Sequence, residues 1–227
     1  ALIWAVVPII NGIAFTRVPI ASLIEDGESG MTIKELCMNK TFWILMLMML
    51  CAGASEQGVS QWASTFAEQG LGVSKVVGDL AGPMAFAVLM GSARTFYGKR
   101  GDRIDLDKFM IGSSLLCILS YLCISLAPSA FVSLIGCSVC GFSVGIMWPG
   151  SFSKASSALR NGGTSLFALL ALAGDVGCSG GPTLVGFVSS LASDDLKRGI
   201  LAGVIFPVLL LVRIVLLRKK NAKENVC

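Results

Sequence analysis

The sequence predicts an all-α membrane protein, a bundle of spanning helices, and three observations carry that reading. Charge is scarce: 14% of the 227 residues are charged, against about 25% in a soluble domain. Hydrophobic residues make up 54% of the chain, and the mean hydropathy is +0.78. Glycine is frequent, at 26 residues, as it is where transmembrane helices pack closely. A water-facing surface needs more charge than this. A disordered chain, a nucleic-acid-binding domain and a small disulfide scaffold are therefore excluded.

Seven apolar runs approach the roughly 20 residues that cross a bilayer. They cover residues 1–20, 42–67, 76–97, 109–127, 130–152, 164–191 and 199–217. The first holds only 16 residues before Arg17, so it reads as the end of a helix that begins upstream. It lacks the basic leader and cleavage site of a signal peptide. Residues 21–40 carry six charges and form the one long connection; Thr32-x-x-Glu35 in it fits a capping box, which predicts a short helix leading into the second run. No charge occurs from Phe109 to Ser153, and 45 residues of helix far exceed one crossing. Ala127-Pro128-Ser129 is the turn that folds this stretch back. The division that results is a truncated helix at 1–20, a cytoplasmic connection at 21–40, six helices over 41–217 and a basic cytoplasmic tail at 218–227.

Charge supports the count. With alternating spans, fifteen of the 18 Lys and Arg residues fall on one side; Lys75, Lys197 and Arg198 fall on the other. The basic side is cytoplasmic by the positive-inside rule, which puts the carboxyl terminus inside. The runs 109–127 and 199–217 are the most uniformly apolar and read as peripheral.

Ionisable groups at membrane depth are costly and point to function by default. Asp175 lies about 16 Å into its span at 1.5 Å per residue. It shares a face with Thr164, Ala168, Ala171, Ser179, Pro182 and Gly186, opposite Leu166, Leu170, Leu184 and Val188. Glu56, Gln57, Ser60, Gln61 and Ser64 make a second polar stripe, opposite Val59, Trp62 and Phe66. Each stripe either lines a cavity for a polar solute or bonds a neighbouring helix. Asp79 either serves a cavity or accepts N–H groups at its helix start. Pro83, Phe86, Met90 and Arg94 continue along its face. Gly141-x-x-x-Gly145 and the glycines 177, 180 and 181 are spaced for close helix contact, and Pro83, Pro149 and Pro182 interrupt their helices. Gly78-Asp79 before Gly82-Pro83 is echoed by Gly174-Asp175 before Gly181-Pro182, three spans later. Two inverted three-helix repeats with broken central helices would produce that echo.

The eight cysteines include Cys137-x-x-Cys140 with no second pair, and they read as helix filler. With no histidine, no zinc-ligand set and no phosphate-binding glycine loop, neither an enzyme nor a metal or cofactor site is read.

The chain resembles the carboxyl-terminal half of a major facilitator superfamily transporter, and within it the fucose permease group. The passages that carry the likeness are Gly53-Ala54-Ser55-Glu56-Gln57 with Trp62, Gly91-Ser92-Ala93-Arg94 leading to Gly98-Lys99, Met147-Trp148-Pro149-Gly150-Ser151-Phe152-Ser153, and Gly163-Thr164-Ser165 running to Gly186-Phe187. The resemblance implies one central site between two six-helix halves, alternating access and proton coupling. The missing amino-terminal half would be the principal partner, beside the lipid bilayer of the cell membrane and a small-molecule substrate; no nucleic acid is implied. It also implies substrate contacts from Glu56, Gln57, Ser60, Gln61, Phe86, Met90, Trp148, Asp175 and Ser179, and a cytoplasmic gate at Arg94, Lys99 and Arg103. A sugar symporter is the first functional expectation. A drug or cation exporter of the same fold and a non-transporting membrane scaffold are the alternatives.

Overall fold

The computed structural model describes residues 2–19, 30–71, 74, 76, 78 and 80–224. Among the described residues every regular element is helical. The helices are α1 (Leu2–Phe15), α2 (Ile33–Met38), α3 (Lys40–Ser60), α4 (Ala63–Leu71), α5 (Ala85–Arg100), α6 (Leu106–Leu126), α7 (Ala130–Val144), α8 (Met147–Ala158), α9 (Gly163–Leu191), α10 (Leu196–Gly203) and α11 (Ile205–Glu224). A π-helical turn, Leu80–Met84, precedes α5 and contains Pro83.

Five helical stretches are long and apolar enough to cross a membrane: Lys40–Glu68, Leu106–Leu126, Phe131–Ala158, Gly163–Leu191 and Leu196–Arg218. They coincide with five of the seven runs. The run at 76–97 is described only in part, and α1 is shorter, with 14 residues and Pro8 inside. Asp79 lies outside the described residues.

Local chemistry accounts for the helix ends. Glu35 N–H donates to the Thr32 hydroxyl and Thr32 N–H to the Glu35 carboxylate, so the capping box closes as the spacing predicts. Asn39 then caps α3 by accepting from Thr41 N–H. Asp105 caps α6 through Lys108 N–H, and Asp195 caps α10 through Lys197 N–H. The chain turns back at 127–129, between α6 and α7. Ser193 and Asp194, both with φ near +60°, make the tight turn between α9 and α10.

Backbone approach builds the centre of the bundle. A Cβ on Gly177 would collide with the Leu50 carbonyl, and one on Gly181 with the Ala54 carbonyl. A Cβ on Gly53 would meet the Gly174 carbonyl. Helices α3 and α9 are thus pressed together through glycine, as small residues permit in a membrane. Gly141 and Gly145 do the same for α7 against α5, at Phe86 and Met90. Gly180 departs from the expectation. Nothing lies within 4 Å of where its Cβ would be, because at about 100° per residue it is turned roughly 60° from Gly177 and roughly 100° from Gly181, onto an open face.

Two further expectations change. Pro182 does not end its helix: α9 is continuous from Gly163 to Leu191. Helix α6 is more than peripheral, since Tyr121 is fully buried and its hydroxyl donates to the Ser55 carbonyl at 2.8 Å. Its serines 114, 120 and 125 donate to carbonyls four residues back, so they can face neighbours without stranded hydroxyls.

Candidate functional site

The polar stripe of α3 meets α5 within the apolar stretch Lys40–Glu68, which is long enough to cross a membrane. Arg94 Nη2 donates to Glu56 Oε2 at 3.3 Å, and Arg94 Nε donates to the Gly145 carbonyl at 3.2 Å. The second bond has a sequence cause. In a continuous helix the Gly145 carbonyl would accept from the N–H of residue 149, but that residue is proline and has none. The chain breaks between α7 and α8 there, and the free carbonyl orients the guanidinium. Glu56 is the more buried partner, with 14% of its side chain exposed against 44% for Arg94.

Two cavities flank this pair, and Glu56 and Gln57 line both. The first, about 390 Å³, adds Ser60, Gln61, Ser64, Pro83, Phe86, Ala87 and Met90. The second, about 530 Å³, adds Arg94, Trp148, Pro149, Phe152 and Cys178. Ser60 donates to Gln57 Oε1 at 3.0 Å, which fixes the Gln57 amide. Trp148 packs on Gly174, where a Cβ would fall 2.5 Å from its ring, and lies 6.2 Å from Phe152 by ring centroids.

Asp175 and Ser179 sit on the open face of α9, along a shallower depression with Val176, Gly180 and Thr183. Asp175 is the thirteenth residue of α9, about 18 Å along it. The Ser179 hydroxyl donates to the Asp175 carbonyl and Thr183 to the Ser179 carbonyl. Their oxygens therefore remain available as acceptors.

The structure thus brings together Glu56, Gln57, Ser60, Gln61, Met90 and Trp148 and sets Asp175 and Ser179 beside them on α9. Phe86 lines the first cavity but is only 3% exposed and belongs mostly to the core. Lys99 and Arg103 are exposed at and just beyond the end of α5, away from the pair, whereas Arg94 lies well inside that helix.

Sequence reasoning missed two ion pairs. Arg94 was placed on the face of Pro83, Phe86 and Met90, and extending that face toward the Glu56 stripe would have suggested the first. The second joins Asp107 on α6 to Lys154 on α8, with side chains 25% and 11% exposed. Opposite charges at the ends of adjacent apolar runs were its signal. Around it, the Tyr97 and Phe109 rings stack at 5.7 Å and Arg100 lies over the Phe96 ring.

No curated protein and no solved structure gives a significant match to the chain. A family model described as Major Facilitator Superfamily matches residues 1–182. Helices of spanning length, glycine-mediated packing and a charged, cavity-lining centre agree with that match, and the chain belongs to the Major Facilitator Superfamily.

Proposed function

We propose that the protein is half of a secondary transporter that moves a small polar solute, in the first instance a sugar, by alternating access. The observation that supports this most is the open polar face. Asp175, Ser179 and Thr183 are exposed at membrane depth on α9, next to cavities lined by Glu56, Gln57 and Trp148. A carboxylate cannot face lipid cheaply, so a second six-helix unit covers this face and encloses the solute. Glu56, Gln57, Ser60, Gln61, Met90, Trp148, Asp175 and Ser179 contact the solute, with Phe86 behind them. Lys99 and Arg103 belong to the cytoplasmic gate, and Arg94 links that gate to the site through Glu56. Proton coupling, a place in the cell membrane and a cytoplasmic carboxyl terminus complete the proposal.

Uptake of labelled sugars into vesicles tests it. Vesicles holding residues 1–227 alone are expected to show none, and uptake by them would overturn the two-half reading. In the complete two-half transporter, Glu56→Gln and Asp175→Asn are expected to reach the membrane folded and lose at least tenfold in uptake. Normal uptake by both would remove them from the site.

A further inference from the structure

Glycine contacts between α3 and α9 fix how closely the two helices approach. They do not fix rotation, because two smooth backbones can turn against each other; that takes a directional bond. One reaches α3 from behind. Tyr121 of α6 is fully buried, and its hydroxyl donates to the Ser55 carbonyl at 2.8 Å. Two glycines cut the slot it occupies. A Cβ on Gly58 of α3 would fall 2.8 Å from the hydroxyl oxygen, and one on Gly203 of α10 would fall 2.9 Å from the ring. At about 100° per residue, Ser55 and Gly58 lie on the opposite side of α3 from Glu56, Gln57 and Ser60. Tyr121 thus grips the back of α3 within one turn of the residues that line the cavities at its front.

We infer that Tyr121 is a positioning residue for the polar stripe: its hydroxyl sets the rotation of α3 about its own axis and so holds Glu56 within reach of Arg94. The magnitudes agree. A side-chain atom about 5 Å from a helix axis moves about 2 Å when the helix turns by about 20°. The Glu56–Arg94 bond, at 3.3 Å, is already near the outer limit of a hydrogen bond and does not survive a shift of that size. Arg94 does not follow such a turn, because the Gly145 carbonyl holds its Nε. Gln57 turns with Glu56, so both cavities change shape together. The inference rests on the transporter reading for the use to which the stripe is put, and adds to it a buried residue of α6 that lines neither cavity.

A double-mutant cycle tests this without a solute. The unfolding temperature of the purified protein is measured with Glu56→Gln alone, with Tyr121→Phe alone and with both. A Tyr121 that only fills space gives additive shifts. If Tyr121 holds Glu56 in place, the shift caused by Glu56→Gln, in either direction, is expected to shrink by at least half once Tyr121→Phe is present, because the pair it removes is already broken. Ile124→Val is the control. Ile124 is buried on α6 one turn along and lies against Gly136 of α7. This variant is expected to lower the unfolding temperature too, and to leave the Glu56→Gln shift unchanged. A Glu56→Gln shift of the same size in all three backgrounds, zero included, would overturn the inference, and so would one that Ile124→Val shrinks as much as Tyr121→Phe does. Either result takes Tyr121 out of the site and leaves the transporter reading intact. That reading fails by a different route, the absence of gradient-driven uptake by the complete protein.

Discussion

Single residues at the bundle centre show how polar groups are accommodated among apolar ones. Tyr121 is buried on all sides, and its hydroxyl reaches across to the Ser55 carbonyl beside Gly58, where any larger residue would strike it. Tyr121→Phe keeps the ring and removes the bond, so a loss of about 1 kcal/mol is expected. It should appear as a lower unfolding temperature of the purified protein with unchanged helix content. At the surface, Asp105 accepts from Lys108 N–H at the start of α6, and that bond holds its carboxyl below the usual range. A carboxyl held low in the folded state contributes stability above its unfolded pKa of about 3.9 and loses it as the pH falls through the lower folded value. Unfolding temperature should therefore drop on acidification below about pH 4, and Asp105→Ala should flatten that part of the profile. An equally steep profile in the variant would show that the cap does not set it.

Helix pairs are governed by which glycines touch. Gly177 and Gly180 differ by three positions and by no property visible in their composition, yet one meets the Leu50 carbonyl and the other meets nothing. A main-chain carbonyl cannot rotate away as a side chain can. Gly177→Ala is expected to force α3 and α9 apart at a cost of about 1–3 kcal/mol, as overpacking does. Gly180→Ala is expected to leave stability unchanged. Thermal unfolding of the two variants side by side checks this, and equal losses would contradict the packing. The pair Asp107 and Lys154 ties α6 to α8 in the same region as the stacked Tyr97 and Phe109, so the basic end of the bundle is braced across several helices.

At the scale of the whole molecule, the distribution of charge gives an orientation to test. Lys99 to Lys108 are expected to be cytoplasmic, as is the chain after Leu217, where α11 runs on to Glu224 through the basic residues. Residues 194–198, at the α9–α10 turn, are expected outside. Single cysteines introduced at Arg103 and Asp194 should label from opposite sides of sealed cells. Labelling of Arg103→Cys from outside would reverse the orientation and break the span count.

Five of the seven spans, the turn at 127–129 and the Thr32–Glu35 capping box were legible in the sequence. Each depends on local properties: hydropathy over the thickness of a bilayer, proline geometry, and a side chain reaching three residues along. The positions of Glu56 and Asp175 along their helices were legible for the same reason, since rise per residue fixes them. Partnership was not. In a membrane, lipid and a neighbouring helix are equally apolar, so hydropathy does not say which face of a helix is packed. Tertiary structure alone decided that Phe86 belongs mostly to the core, that Gly180 stands open while Gly177 is buried, and that Arg94 turns toward Glu56. Helix rotation about its own axis makes those choices, and here it is set by where two backbones approach closely enough to require glycine.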